Sequence, residues 1–173
     1  YNQQYSGDIL IRAFPNKSYI DQTEELLGTL SSFPEVRAIS VRYIEGGKVE
    51  SNYRTRIGPK DEPDRVSAPI VGIDPENEDD VTMLGTRMIE GEMLNSLEEG
   101  YVVLGKNLVD TYTLGAGVIS ATTLTNVPIG TKVRVTVGDK TEEMIVRGVL
   151  GSKAGEVSTR VFMLESEMRK FIG

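Results

Sequence analysis

From Thr131 to Leu150, apolar and polar residues alternate on both sides of Gly138 and Asp139, and the runs TKVRVTV and EEMIVRGVL therefore read as the two arms of a β-hairpin. A period of two gives each strand one dry face, so a chain built this way needs a sheet that covers it. The same period recurs at Ile39, Val41 and Tyr43, and again at Val49, Ser51, Tyr53, Thr55 and Ile57, with Gly46 and Gly47 between the two runs. A first hairpin that turns at the glycine pair is the expectation there. GDILIRAF (7–14), VSAPIVGI (66–73), YVVLG (101–105) and VFML (161–164) add further strands, and Pro69 is expected at a sheet edge or a bulge.

Helical spacing separates these strands. Ile20, Thr23, Leu26, Leu27 and Leu30 recur at three and four residues behind Ser18 and Asp21, which resemble a capping box. Asp74 and Pro75 read as the cap and first position of a second helix, whose early acids Glu76, Glu78, Asp79 and Asp80 suit a helix amino terminus, with Val81, Leu84 and Met88 turned inward. A helix is expected through Asn107, Leu108 and Leu114, and a short closing one from about Ser166. Strands outnumber helices and hairpins mix with β-α units, so the fold class is α+β and not a doubly wound parallel sheet.

The chain has 173 residues, 39% of them hydrophobic, which suffices for one domain or two small subdomains with a real core. It opens on Tyr1, as expected of a segment of a longer precursor or membrane protein. No run approaches the ~20 apolar residues that span a bilayer. Nineteen acids and 10 bases fall in the first 100 residues, against 7 and 9 in the remainder, a balance that repels nucleic acid. His, Cys and Trp are all absent. Thiolate or imidazole metal sites and histidine-dependent nucleophiles are thereby excluded, leaving carboxylates, Lys and Tyr for any chemistry.

No catalytic, cofactor or metal residue is assigned. GIDPENEDD (72–80) is acidic, but a calcium loop starting at Asp74 needs Gly where Asp79 stands and Glu where Gly85 stands. LGAG (114–117) lacks the third glycine of a dinucleotide fingerprint, and GSKAGEV (151–157), without the Gly-Lys-Ser/Thr order of a phosphate loop, is expected to be a mobile loop. Glu90 with Glu92, and Glu98 with Glu99, read as solvated surface and not as a glycosidase pair. The least ordinary feature is the charge-free span Thr111–Thr131. Its two readings are a buried loop with an edge strand and an exposed surface for a partner or lipid; on the second, Val118, Ile119, Leu124 and Val127 are the candidate partner contacts.

Taken in order, IVGIDPENEDDV, MIEGEML, YVVLGKNLVDTYTL, IGTKVRVTV and IVRGVL resemble the MacB-like periplasmic core domain of MacB and FtsX-type ABC permeases, although Gly115–Pro128 lengthens a link that is short in that family. The resemblance implies one extracytoplasmic domain over 1–173. In it, a β-α subdomain from both chain ends (1–88 plus 149–173) carries an inserted strand-rich subdomain (89–148). It also implies a cell-membrane protein with this domain on the extracytoplasmic side, without catalysis or cofactor of its own. The implied partners are a cytoplasmic ATP-binding subunit or domain, a lipoprotein, peptide or lipophilic substrate, and a second copy in a dimeric transporter. The rival expectations are a free-standing cell-surface binding domain and a carboxylate-based hydrolase with two acids in a cleft.

Overall fold

A computed structural model describes residues 7–54, 64–113, 123–152 and 155–173. In chain order the elements are α1 (Thr23–Ser31), β1 (Arg42–Ser51), β2 (Asp64–Ile73), α2 (Pro75–Thr82), β3 (Met88–Gly91), β4 (Tyr101–Gly105), α3 (Asp110–Thr113), β5 (Lys132–Val137), β6 (Lys140–Leu150), α4 (Gly155–Ser158), β7 (Val161–Leu164) and α5 (Glu165–Ile172). Short 3-10 turns at Leu84–Arg87 and Lys106–Leu108 lead into β3 and α3. The α+β class holds.

The strands pair in the order β3-β6-β4-β7-β2-β1-β5, and β5 returns to β6, so six of them close into a barrel with β3 added outside the ring. Two pairings are parallel, β2 with β7 and β4 with β6; the others are antiparallel. Closure removes the unpaired edges that an open sheet of this size would present. The ring draws strands from both parts of the two-subdomain expectation: β4 and β5, from 89–148, are hydrogen-bonded to β7 and β1 from the flanking segments.

Period-two alternation sorts the apolar residues into two cores. Val66, Ala68 and Ile70 of β2, Val102 and Leu104 of β4, and Val161 and Met163 of β7 belong to one, together with Val49, Val133, Val135, Met144 and Val146. The intervening Val71, Ile73, Val103, Phe162 and Leu164 belong to the other, which lies outside the ring with Leu84, Leu94, Leu150 and Val157. Helix α5 closes the end of the barrel where β7 finishes: Met168 and Phe171 join the first core, and Gly72 makes room, since a Cβ there would sit 2.5 Å from Met168 Cβ. Leu108, Val109, Leu124 and Val127 join the same core from loops at the opposite end.

The hairpin at Gly138 and Asp139 is present as β5 and β6. The one expected at Gly46 and Gly47 is not: β1 passes straight through both glycines and pairs residue for residue with β2. Gly47 serves close approach instead. A Cβ on Gly47 would lie 2.5 Å from Ile70 Cγ1 and 2.6 Å from the Thr136 carbonyl oxygen. Pro69, opposite Gly46, precedes the stretch Ile70–Ile73 that pairs with β7, so its missing N–H interrupts no bond on that side. GDILIRAF contributes no strand, and α1 begins at Thr23 behind Gln22 in a left-handed conformation (φ 52°), so Ser18 does not cap it.

Candidate functional site

The acidic run at α2 is organised by its own helix. The Asp74 carboxylate accepts the backbone N–H groups of Glu76 and Asn77 at 3.0 Å, with Pro75 at the first helical position, as its sequence predicts. Asp79 accepts the Gly85 N–H at 2.6 Å. Glu76, Asp79 and Asp80, with Pro75, Gly85, Met93 and Leu94, line a shallow groove of about 480 Å³. Among the described residues no group of three His, Cys, Asp or Glu is placed to hold a metal ion.

Glu78 departs from its neighbours. It sits on the buried face of α2 with Pro75 and Thr82 and is 0% exposed. Its carboxylate takes a two-pronged bond from Arg42, Nε to Oε2 at 2.8 Å and Nη2 to Oε1 at 2.6 Å, and accepts the Ser40 hydroxyl at 2.6 Å and the Thr82 hydroxyl at 2.8 Å. A buried carboxylate so supplied is held by its partners and is not offered to a substrate. It ties the segment before β1 to α2. The sequence places Glu78 among the acids that suit a helix amino terminus. The signal that could have found it is spacing, because Glu78 shares the face of Pro75 and Thr82 at three and four residues.

A second polar cluster flanks the far end of the barrel from α5. Tyr53 donates its hydroxyl to Glu143 at 2.5 Å, Lys132 reaches the other oxygen at 2.8 Å, and Arg54 pairs with the same carboxylate. The bonds from Lys132 and Tyr53 hold the Glu143 carboxyl down at about 2. Arg134 lies over the Tyr53 ring and, with Arg65, pairs with Glu50. Of the four surface acids weighed above, Glu92 and Glu98 both pair with Arg147, Glu99 with Lys170, and Glu90 accepts the Tyr112 hydroxyl, which lifts that phenol to about 12. These carboxylates are matched to bases and donors on the outer surface.

Two of the four candidate partner contacts follow the buried-loop reading of the charge-free span. Leu124 and Val127 are buried and help close the barrel, Leu124 bridging to Val109 and donating its N–H to Leu108 at 2.8 Å. A charge-free segment is favoured there because it fills a dry end. Val118 and Ile119 lie outside the described residues, as does LGAG. GSKAGEV, expected as a mobile loop, includes α4, where buried Ser158 and Ser152 exchange hydrogen bonds; Lys153 and Ala154 lie outside the described residues.

Exposed apolar surface is found instead before the barrel. Residues 7–41 include no buried residue, and Ile9, Leu10, Ile11, Phe14, Tyr19 and Phe33 all stand exposed, Ile9 at 80% and Phe14 at 76%. Leu26, Leu27 and Leu30 of α1 are only half-buried. Isolated exposed apolar residues are ordinary, whereas here six stand exposed within one short unit. No model of a known protein family matches the chain, and no curated protein matches it.

Proposed function

We propose that this chain is a non-catalytic extracytoplasmic domain of an ABC-type permease subunit, the role that its resemblance to MacB and FtsX-type domains implies. On this reading it sits at the cell membrane and passes the motion driven by a cytoplasmic ATP-binding subunit or domain to a lipoprotein, a peptide or a lipophilic substrate. One observation carries the proposal: a closed, dry-cored barrel bears an amino-terminal unit whose apolar residues are exposed and whose carboxyl end is tied by Ser40 to Glu78. A rigid body with a sticky appendage suits transmission and docking. A reaction vessel needs polar groups converging on a pocket, whereas these carboxylates are committed to caps and ion pairs.

The test uses the full-length gene product. It is expected to fractionate with membranes and to copurify with an ATP-binding subunit or domain. Replacing Ile9 and Phe14 by Ser is expected to lower transport at least several-fold while leaving that assembly and the circular dichroism of the domain unchanged. A product with a single anchor and no ATP-binding partner supports the free-standing binding domain instead, and full transport by the double variant removes the role given to the amino-terminal unit.

A further inference from the structure

Helix α5 closes the barrel with an amphipathic face on which one position is out of place. Met168 and Phe171 are apolar and buried, but Glu167 beside them is only 7% exposed. Its Oε1 accepts the Gly100 N–H at 2.7 Å, while Oε2 is buried and makes no hydrogen bond among the described residues. This is unlike Glu78, whose two oxygens are fully supplied by a guanidinium and two hydroxyls. A buried carboxylate oxygen with no donor is tolerated far better as a neutral acid than as an ion.

The surroundings supply little to neutralise it. The loop before β4 brings Glu99, a like charge, and also Glu98, which is already paired with Arg147. On its own helix the ammonium of Lys170 is engaged with Glu99 at 2.7 Å, and Arg169 pairs with Glu165 while lying over the Tyr43 ring of β1. From β6, Glu142 adds negative charge near Lys170, and Lys140 is bonded to the Lys170 carbonyl at 2.6 Å. β2 meets the helix at Gly72, and β7 is apolar throughout.

We infer that Glu167 is a proton-binding site that couples the seating of α5 on the barrel to pH, seated when the carboxyl is neutral and loosened when it ionises. Burial, the largest cause, and the nearby Glu99 raise its pKa above the ordinary 4.5, outweighing the opposing pull of the Gly100 and Leu164 N–H groups and of Lys170. For a raised acid the sign is fixed. The stabilisation is complete below the unfolded value and is lost as pH rises through the folded one, so the switch works on the neutral side of 4.5. The inference stands whatever the transport role of the chain.

The test compares the wild-type chain with Glu167→Gln between pH 4 and 8 at fixed ionic strength. The amide keeps an acceptor for Gly100 and cannot ionise. Melting temperatures are expected to agree at pH 4 and to separate with rising pH, the variant standing about 3 °C or more higher by pH 8. Amide exchange of Met168–Ile172, corrected for its intrinsic pH dependence, is expected to lose about tenfold protection across that range in the wild type only. Parallel melting curves, or the same loss of protection in the variant, overturn the inference. Should the variant fail to fold, the carboxyl carbon resonance of Glu167 in the wild-type chain decides. Its midpoint must lie above that of an ordinary glutamate and fall in Glu99→Gln, where a like charge is removed and Lys170 is released; a midpoint at or below the ordinary value ends the proposal.

Discussion

Glu78 and Arg42 form the most enclosed ion pair among the described residues, and the energetics of such pairs are asymmetric. Desolvating two charges costs nearly what their attraction returns, so an apolar pair of similar volume is tolerated, whereas one charge left alone is not. Glu78→Ala strands the Arg42 guanidinium, only 13% exposed, and is expected to cost about 3–5 kcal/mol in urea unfolding. Glu78→Leu combined with Arg42→Met is expected to cost far less than the two single changes together. Additive losses would show that the two residues act separately. The sequence made this pair hard to see for a physical reason. A helix amino terminus draws acids by its dipole whether they face solvent or core, so composition explains all five acids of 74–80 equally well. Only the face each one occupies separates the buried acid from the exposed ones, and Arg42, 36 residues earlier, gives no local hint of its partner.

At the scale of elements, alternation identified β5 and β6, apolar runs identified β2, β4 and β7, and Asp74-Pro75 identified the start of α2, because those signals are local and the barrel obeys them. Two glycine-bearing dipeptides show where local signals stop. Gly138-Asp139 lies between arms that face each other, and Gly138 takes the positive φ (61°) that a tight turn demands. Gly46-Gly47 offers the same permissiveness, yet the backbone there stays extended within β1, since Ile70 and the Thr136 carbonyl press against Gly47 from neighbouring strands. Steric demand from residues 23 and 89 positions away leaves no periodic trace. Gly47→Val is therefore expected to cost roughly 2–4 kcal/mol, although valine favours strands, through overpacking against Ile70. Gly46 has open space beside it, so Gly46→Val is expected to be close to neutral. Chemical denaturation of the two variants checks the contrast, and equal losses would mean that the glycines serve backbone freedom and not close approach. The extended segment 7–14 fails in the opposite sense. Its composition is that of a strand, but no strand of the closed ring offers it an edge.

For the molecule as a whole, closure of the ring divides the chain into parts that ought to open at different free energies. Barrel residues belong to one core sealed by α5 and by Leu108 and Leu124, so their amides should exchange only when the ring itself unfolds. The unit from 7 to 41 has no buried residue and can open without exposing that core. The alternation of the strands carried the existence of a sheet, but not its closure. Closure depends on β5 meeting β1, a pairing between residues 90 apart at Gly47 and Val137 with no local signature. Hydrogen exchange on the intact chain is expected to show amides of α1 exchanging at least 100-fold faster, relative to their intrinsic rates, than those of Val102–Leu104 and Phe162–Met163. Leu124→Ala, a cavity at the sealed end, is expected to cost about 2–5 kcal/mol and to speed exchange in the barrel while leaving α1 unchanged. If α1 and the barrel instead exchange together in both proteins, the amino-terminal unit is part of the cooperative fold. Its exposed apolar residues would then be an outer layer of the domain and not the docking surface on which the transmission role depends.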